Sequence, residues 1–453
     1  MDTVLDSRNT RELLHRLSGA NRRFAEAYPG DRADRQPVHT VYGGAHLFSA
    51  DIAAKLGAAA VRALDEYAPD PAAFARAIGL QGPESLARAV HSRVVEKLKR
   101  EPVEDYRIDF EDGYGNRPDA EEDRHAEADA EEMARGMSER SLPPFVGIRL
   151  KPLSDELRGR ALRTLDLFVG ALVRLTAGRV PPNFAVTLPK ITSPEQVTAA
   201  VEACERIEQA RKLEPGSLRI ELMVETPQSI FASDGALALP RFVAAARGRC
   251  RGAHFGTYDY TAGLGITAMY QLPQHAACDF ARHVMQVCLA GTGLLLSDGA
   301  TTVMPVGPHR ANPGGPPLSP AQVEENRAAV HRGWRIHYDD VRASLRNAYY
   351  QGWDLNPAQL PTRYAAVFAF FLESRAEAGA RLKAFVEKAA QATVLGSTFD
   401  DAATGQGLLN FFLRGLSCGA LTEAEALAAG LTLEELRGRS FVKMLNARRA
   451  AGM

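Results

Sequence analysis

The sequence predicts an α/β protein in which strands alternate with helices, followed by a helical C-terminal region. Three observations carry this. The chain has 453 residues, 45% of them hydrophobic, which is ample for a large buried core. Short apolar runs, each ended by Gly, Pro or a charged residue, alternate with longer Ala/Leu/Arg-rich stretches. After residue 356 the strand signals stop and the helical patterns continue.

Residues 1–35 read as a polar helix and a Gly/Asp/Arg/Pro linker. The apolar runs are 38–42, 106–110, 145–150, 184–188, 218–224, 252–255, 301–306 and 352–355. Helical stretches such as 49–67, 154–175, 194–211 and 318–351 lie between them. This alternation argues for parallel βαβ units. Eight units fit a (β/α)8 TIM barrel, and an open doubly wound sheet of fewer strands is the alternative. Residues 119–137, dominated by Asp, Glu and Ala, read as a solvated helix or loop, and 309–320 as a Pro/Gly-rich loop. Residues 361–392, 402–414 and 422–429 read as helices, with Gly415 and Gly430 placed to end the last two. The expected domains are therefore an extension over 1–35, a catalytic domain over 36–357 and a helical cap over 358–453.

The net charge of −1 gives no reason to expect a nucleic-acid or membrane partner. Residues 1–17 lack the apolar core of a signal peptide, and no apolar run approaches the ~18 residues of a membrane span. The five cysteines form no Cys-x-x-Cys pair, and the histidines show no His-Glu-x-x-His. A disulfide framework and a zinc hydrolase are both disfavoured, and a cytoplasmic setting is expected.

Catalysis on a parallel barrel happens at the C-terminal strand ends, so the residues after each run matter most. They are Asp109-Phe110-Glu111-Asp112-Gly113, Arg149 with Lys151, Lys190, Glu225, Gly256-Thr257-Tyr258-Asp259-Tyr260-Thr261, and the Gly-rich stretch 297–307. Glu225 and Asp259 are the candidate metal ligands. Mg²⁺ takes oxygen donors, often one or two protein carboxylates, and Mn²⁺ suits the same set. A 2-oxo acid would chelate through its carboxylate and keto oxygen, and the ion would stabilise an enolate as a Lewis acid. The fork of Arg149 suits a carboxylate or a developing oxyanion. Plainer roles compete: Glu225 as a capping carboxylate, Asp259 as an Asx-turn, Arg149 in a salt bridge to Glu111 or Asp112. Gly263-Leu264-Gly265 lacks the third glycine of a dinucleotide loop, and no Walker sequence is present. His46 and His254 read as structural, and Tyr258 and Tyr260 as packing residues.

Taken together, Ile108-Asp109-Phe110-Glu111-Asp112, Gly147-Ile148-Arg149, Leu188-Pro189-Lys190, Val224-Glu225-Thr226-Pro227 and Phe255-Gly256-Thr257-Tyr258-Asp259 resemble the HpcH/HpaI aldolase/citrate lyase family, which includes citrate lyase beta subunits. The segments recur in that family's order over about residues 38–360. The resemblance implies the TIM barrel. It also implies Arg149 at the oxo-acid end of the substrate and Glu225 and Asp259 on Mg²⁺; Glu111, Gly256 and Thr257, at the same strand ends, are expected to line the substrate site. A homo-oligomer is a further implication. The chain departs from the family in its length and in Asn356, where relatives commonly have His before the Pro. Phe399-Asp400-Asp401-Ala402-Ala403-Thr404 is similar to the malate synthase segment whose Asp is the catalytic base. On that match the base is Asp401. The competing role is an N-cap for the helix expected from 402.

The expected function is that of a Mg²⁺-dependent carbon–carbon lyase or aldolase acting on a small 2-oxo or hydroxy acid, with Asp112 or Asp401 as base. Acyl-CoA Claisen chemistry of the malate synthase or malyl/citramalyl-CoA lyase type, with a CoA thioester as substrate, is the alternative. Phosphoryl chemistry on phosphoenolpyruvate would want a phosphate cradle, for which Gly43-Gly44 is a thin candidate. A silent metabolite-binding subunit is the non-enzymatic alternative.

Overall fold

In the computed structural model, which describes residues 10–32, 34–311, 314–387, 393–395, 398–400, 402–441, 443–444 and 448, short parallel strands form the centre of the molecule. They are β1 (His39–Gly44), β2 (Asp105–Asp109), β3 (Phe145–Arg149), β4 (Phe184–Leu188), β5 (Arg219–Val224), β6 (Cys250–Phe255), β7 (Leu295–Ala300) and β8 (Gln351–Asp354). Each pairs with the next, and β8 returns to β1, so the sheet closes. This is the TIM barrel, and the open sheet is excluded. The sequences suit it. All five residues of β2, β3 and β4 are buried, because helices cover the outside and side chains fill the inside. Gly147 is demanded by closeness: a Cβ there would stand 2.0 Å from the Ala185 carbonyl oxygen of β4.

The seventh strand is not where the apolar pattern puts it. Residues 301–306 form no strand, and β7 precedes them as Leu-Leu-Ser-Asp-Gly-Ala. Its charged residue is satisfied from the outer helices. Asp298 accepts from Arg282 Nε at 2.8 Å and from Ser344 Oγ at 2.5 Å. An apolar-run criterion cannot see partners that arrive from 16 and 46 residues away.

Residues 119–137 also hold more than a solvated face. They lie in the helix Asp119–Glu139, whose Glu122, Ala126, Asp129, Ala130 and Met133 are buried at helical spacing. Glu122 pairs with Lys151 at 3.1 Å and Arg160 at 3.4 Å.

The C-terminal helices are Leu360–Glu387, Ala402–Ser417, Glu423–Ala428 and Leu433–Gly438. Gly415 lies inside the second of them, and Gly419, at φ +67°, follows its end. Strand structure does not stop at residue 356. Thr393–Leu395 and Thr398–Asp400 pair as a small antiparallel ladder. Helix Leu360–Glu387 is tied to the barrel by Asp354, which accepts from Arg363 Nη2 at 2.8 Å. Asp354 is also 2.9 Å from His39 Nδ1 and 3.0 Å from His337 Nε2. Among the described residues no helix is long and apolar enough to cross a membrane.

The inside of the barrel carries a polar layer with no counterpart among the sequence expectations. Arg107 donates to Glu221 Oε2 from Nη2 at 2.7 Å and contacts Asp105. His254 stands 3.4 Å from Glu221 and 3.1 Å from the hydroxyl of Tyr42. This layer is a charged floor beneath the C-terminal mouth.

Candidate active site at the barrel mouth

The mouth is built from five strand ends. At the end of β2, Asp109 accepts from the backbone N–H of Glu111 at 2.9 Å and of Gly113 at 2.7 Å. These bonds fold the acidic loop back over the strand. Arg149, last in β3, is the register partner of Asp109. It donates to both oxygens of Asp109, from Nε at 2.8 Å and Nη2 at 2.5 Å. The guanidinium lies 4.8 Å from the ring centroid of Tyr42 and 5.3 Å from that of Trp353. The bidentate partner of Arg149 is thus Asp109, beside the salt bridge to Glu111 that the sequence leads one to expect. Glu111 Oε2 is 3.0 Å from Arg149 Nη1, yet neither atom has a hydrogen-bond partner, because the pair is charged but misaligned.

Lys190 follows β4 with φ +48°, an uncommon conformation for a residue with a Cβ. Its N–H donates to Glu225 Oε1 at 2.7 Å. Its ammonium contacts Glu111, lies 3.0 Å from Asp112 Oδ2 and 3.6 Å from Asp259 Oδ1. Glu225, just after β5, is buried. Gly256, just after β6, leaves it room. Asp259 sits in the first turn of the helix Thr257–Gly263 and is partly exposed. Thr257 is buried, and its hydroxyl has no partner.

The electrostatics follow from crowding. Burial pushes the Glu225 carboxyl up to about 8, with Glu111 and Asp259 adding to the shift and Arg149 and Lys190 opposing it. Burial also raises Glu111 and Asp259. Burial works against the charge of Lys190, but Glu111 and Asp259 outweigh it and hold the ammonium firmly protonated.

Among the described residues no three His, Cys, Asp or Glu side chains form a ready-made metal cage. A hard cation needs less, since Mg²⁺ is commonly held by one or two carboxylates, with substrate and water completing its shell. The donors here fit. Carboxylates gathered with raised pKa values around an ammonium are a group that gains from added positive charge.

The sequence matches, over residues 17–444, a family described only as a domain of unknown function, DUF6986. The chain belongs to the DUF6986 family. No curated protein matches it. The fold of this DUF6986 chain is similar to that of a citrate lyase from Burkholderia xenovorans LB400, at 18% identity over 88% of this chain and 98% of that one, with a TM-score of 0.55. A malate synthase from Haloferax volcanii is found at 13% identity, over 85% and 90% of the two chains, with a TM-score of 0.46. The CitE protein of Mycobacterium tuberculosis, in complex with magnesium, acetoacetate and coenzyme A, is found at 15% identity, over 86% and 100%, with a TM-score of 0.45.

In the DUF6986 chain the mouth brings together Arg149, Glu111, Asp112, Glu225, Gly256, Thr257 and Asp259. Asp401 lies outside the described residues. Asn356 caps its own turn, accepting from Ala358 N–H at 2.9 Å. Gly43 and Gly44 are packing glycines: a Cβ at 43 would meet the Tyr106 hydroxyl at 1.9 Å, and one at 44 the Gly113 carbonyl oxygen at 2.2 Å. Sequence reasoning gave no role to Asp109, Lys190, Tyr42 or Trp353. Lys190 and Asp109 were visible as strand-end charges, but their partners lie on other strands.

Proposed function

We propose that this DUF6986 chain is a Mg²⁺-dependent carbon–carbon lyase, working through the enolate of a 2-oxo acid or of the acid released from a related hydroxy acid. One observation carries the reading. Around the mouth, Thr257 Oγ1 and Trp353 Nε1 are buried and without hydrogen-bond partners, and Arg149 Nη1 and Glu111 Oε2 meet each other as an ion pair at 3.0 Å without a hydrogen bond. An unpartnered buried donor costs about 1–3 kcal/mol. Donors and an acceptor kept unsatisfied beside a carboxylate pair are best accounted for by a polar ligand that completes them.

Glu225 and Asp259 would hold the ion. A divalent cation bound there supplies Lewis acidity to the keto oxygen of a chelating acid. Arg149 offers Nη1 to the substrate carboxylate while Asp109 fixes the other edge of the fork. Thr257 donates its hydroxyl, and Glu111 accepts from a substrate hydroxyl. Asp112, exposed on the same loop, is the base in reach of solvent. Asp401 is the alternative base, and with it the chemistry would shift to acyl-CoA condensation. The fold similarity to a citrate lyase makes this chemistry the reading to test first.

The test is deuterium incorporation into the methyl groups of pyruvate and of acetyl-CoA, followed by proton NMR in D₂O with Mg²⁺ and again with EDTA. Metal-dependent exchange in pyruvate is the expected result, and Glu225→Gln should abolish it. Exchange in acetyl-CoA alone would replace the proposal with the Claisen reading. Exchange that ignores EDTA would end the metal assignment.

A further inference from the structure

Four carboxylates of the mouth, Glu111, Asp112, Glu225 and Asp259, all meet one residue. Three of them surround the Lys190 ammonium, and the fourth accepts its backbone N–H. The left-handed backbone at Lys190 makes both contacts possible at once, with the N–H turned to β5 and the side chain carried across to the β2 loop. We propose that Lys190 is a built-in counter-ion of the metal site: it holds the carboxylates together without a divalent cation, yields Asp259 when one binds, and thereby sets the site's metal affinity. This rests on the metal reading of Glu225 and Asp259 given above.

The physical basis is exclusion by like charge. The ammonium stands 3.6 Å from Asp259 Oδ1. A divalent cation held by that carboxylate would therefore lie within about 6 Å of the ammonium. At that separation a single and a double positive charge repel enough to cost about tenfold in affinity even at the dielectric constant of bulk water. Glu111 and Asp112 give the displaced ammonium a place to remain, so it can turn away from the ion without leaving the mouth.

Mn²⁺ binding to the full chain, followed by EPR without substrate, tests this. Wild type should bind Mn²⁺ at a site that Glu225→Gln removes. Lys190→Met and Lys190→Gln should bind at least about tenfold more tightly, and Lys190→Arg, which keeps the charge, like wild type. The glutamine variant guards against a packing defect in the methionine one, and thermal melts check that each is folded. Wild-type binding with no gain in either uncharged variant would overturn the role of Lys190 and leave the metal reading standing. No Glu225-dependent binding in wild type or in any variant would bring down the metal reading, and this role with it.

Discussion

Gly256 and Glu225 share one space: a Cβ on residue 256 would stand 2.4 Å from both Cβ and Oε2 of Glu225. The φ of Gly256 is −102°, open to any residue, so it is room and not backbone freedom that requires glycine. Gly256→Ala should push the Glu225 carboxylate off the Lys190 N–H. A displacement of about 1 Å at a catalytic group can cost about 100-fold in rate, and overpacking about 1–3 kcal/mol in stability. The proposed exchange assay and a urea melt read the two separately. An alanine variant with wild-type exchange would show that Glu225 is not held as described.

Arg149 and Asp109 form a closed bidentate pair, both nearly inaccessible to solvent. Removing one partner strips a buried charge of its bidentate counter-ion, leaving Arg149 only Glu111 and Asp109 only two backbone N–H groups, at a cost of up to about 3–5 kcal/mol. Arg149→Met and Asp109→Asn should each be severely destabilised, and the double variant less so than the sum. Denaturant unfolding of all four proteins gives the coupling directly. Strict additivity would mean that the two side chains do not depend on each other.

Asp129, on the inner face of the helix Asp119–Glu139, has its carboxyl pushed up to about 9, by burial first and by Glu132 second. The folded-state value lies above the unfolded one, so between about pH 4 and 9 the folded chain holds a proton that the unfolded chain releases. The stability this residue contributes is full below about pH 4 and is lost as pH rises toward 9. The slope is up to about 1.4 kcal/mol per pH unit. Asp129→Asn removes the titration, so the stability of wild type relative to this variant should fall steadily from pH 5 to 8. A constant difference would refute the assignment.

Asp354 joins β8 to two outer helices through Arg363 and His337, and to β1 through His39. Burial alone would raise its carboxyl, but Arg363, His337 and His39 outweigh that and hold it well below the usual range. Asp354→Asn should cost about 3–5 kcal/mol and lower the melting temperature. Because the hydrogen-bond partners of Asp354 are Arg363, His337 and His39, and none of the mouth's charged residues, Mn²⁺ affinity measured well below the melting point should be unchanged. A change in affinity without a change in stability would contradict this separation.

The strand–helix rhythm and the mouth's acidic character are written in the order of residues along the chain. Seven of the eight apolar runs overlap strands, because a barrel strand covered on both faces must be apolar over a short length. Glu111, Arg149, Glu225 and Asp259 are legible because a charged residue at or a few positions beyond the end of such a run stands at the open end of the barrel, where chemistry is done. The remaining features arise from how the barrel folds up. That folding placed β7 on a segment whose Asp298 is neutralised from distant helices. It added Asp109 as the bidentate partner of Arg149, through the β2–β3 register, beside the salt bridge to Glu111. It brought Lys190 across the barrel to three carboxylates and made Gly256 necessary beside Glu225. The physical reason is common to all four. Local composition states what a residue would prefer to meet, whereas barrel closure and strand register select which distant group it does meet, and in a buried mouth that choice sets charge, protonation and chemistry.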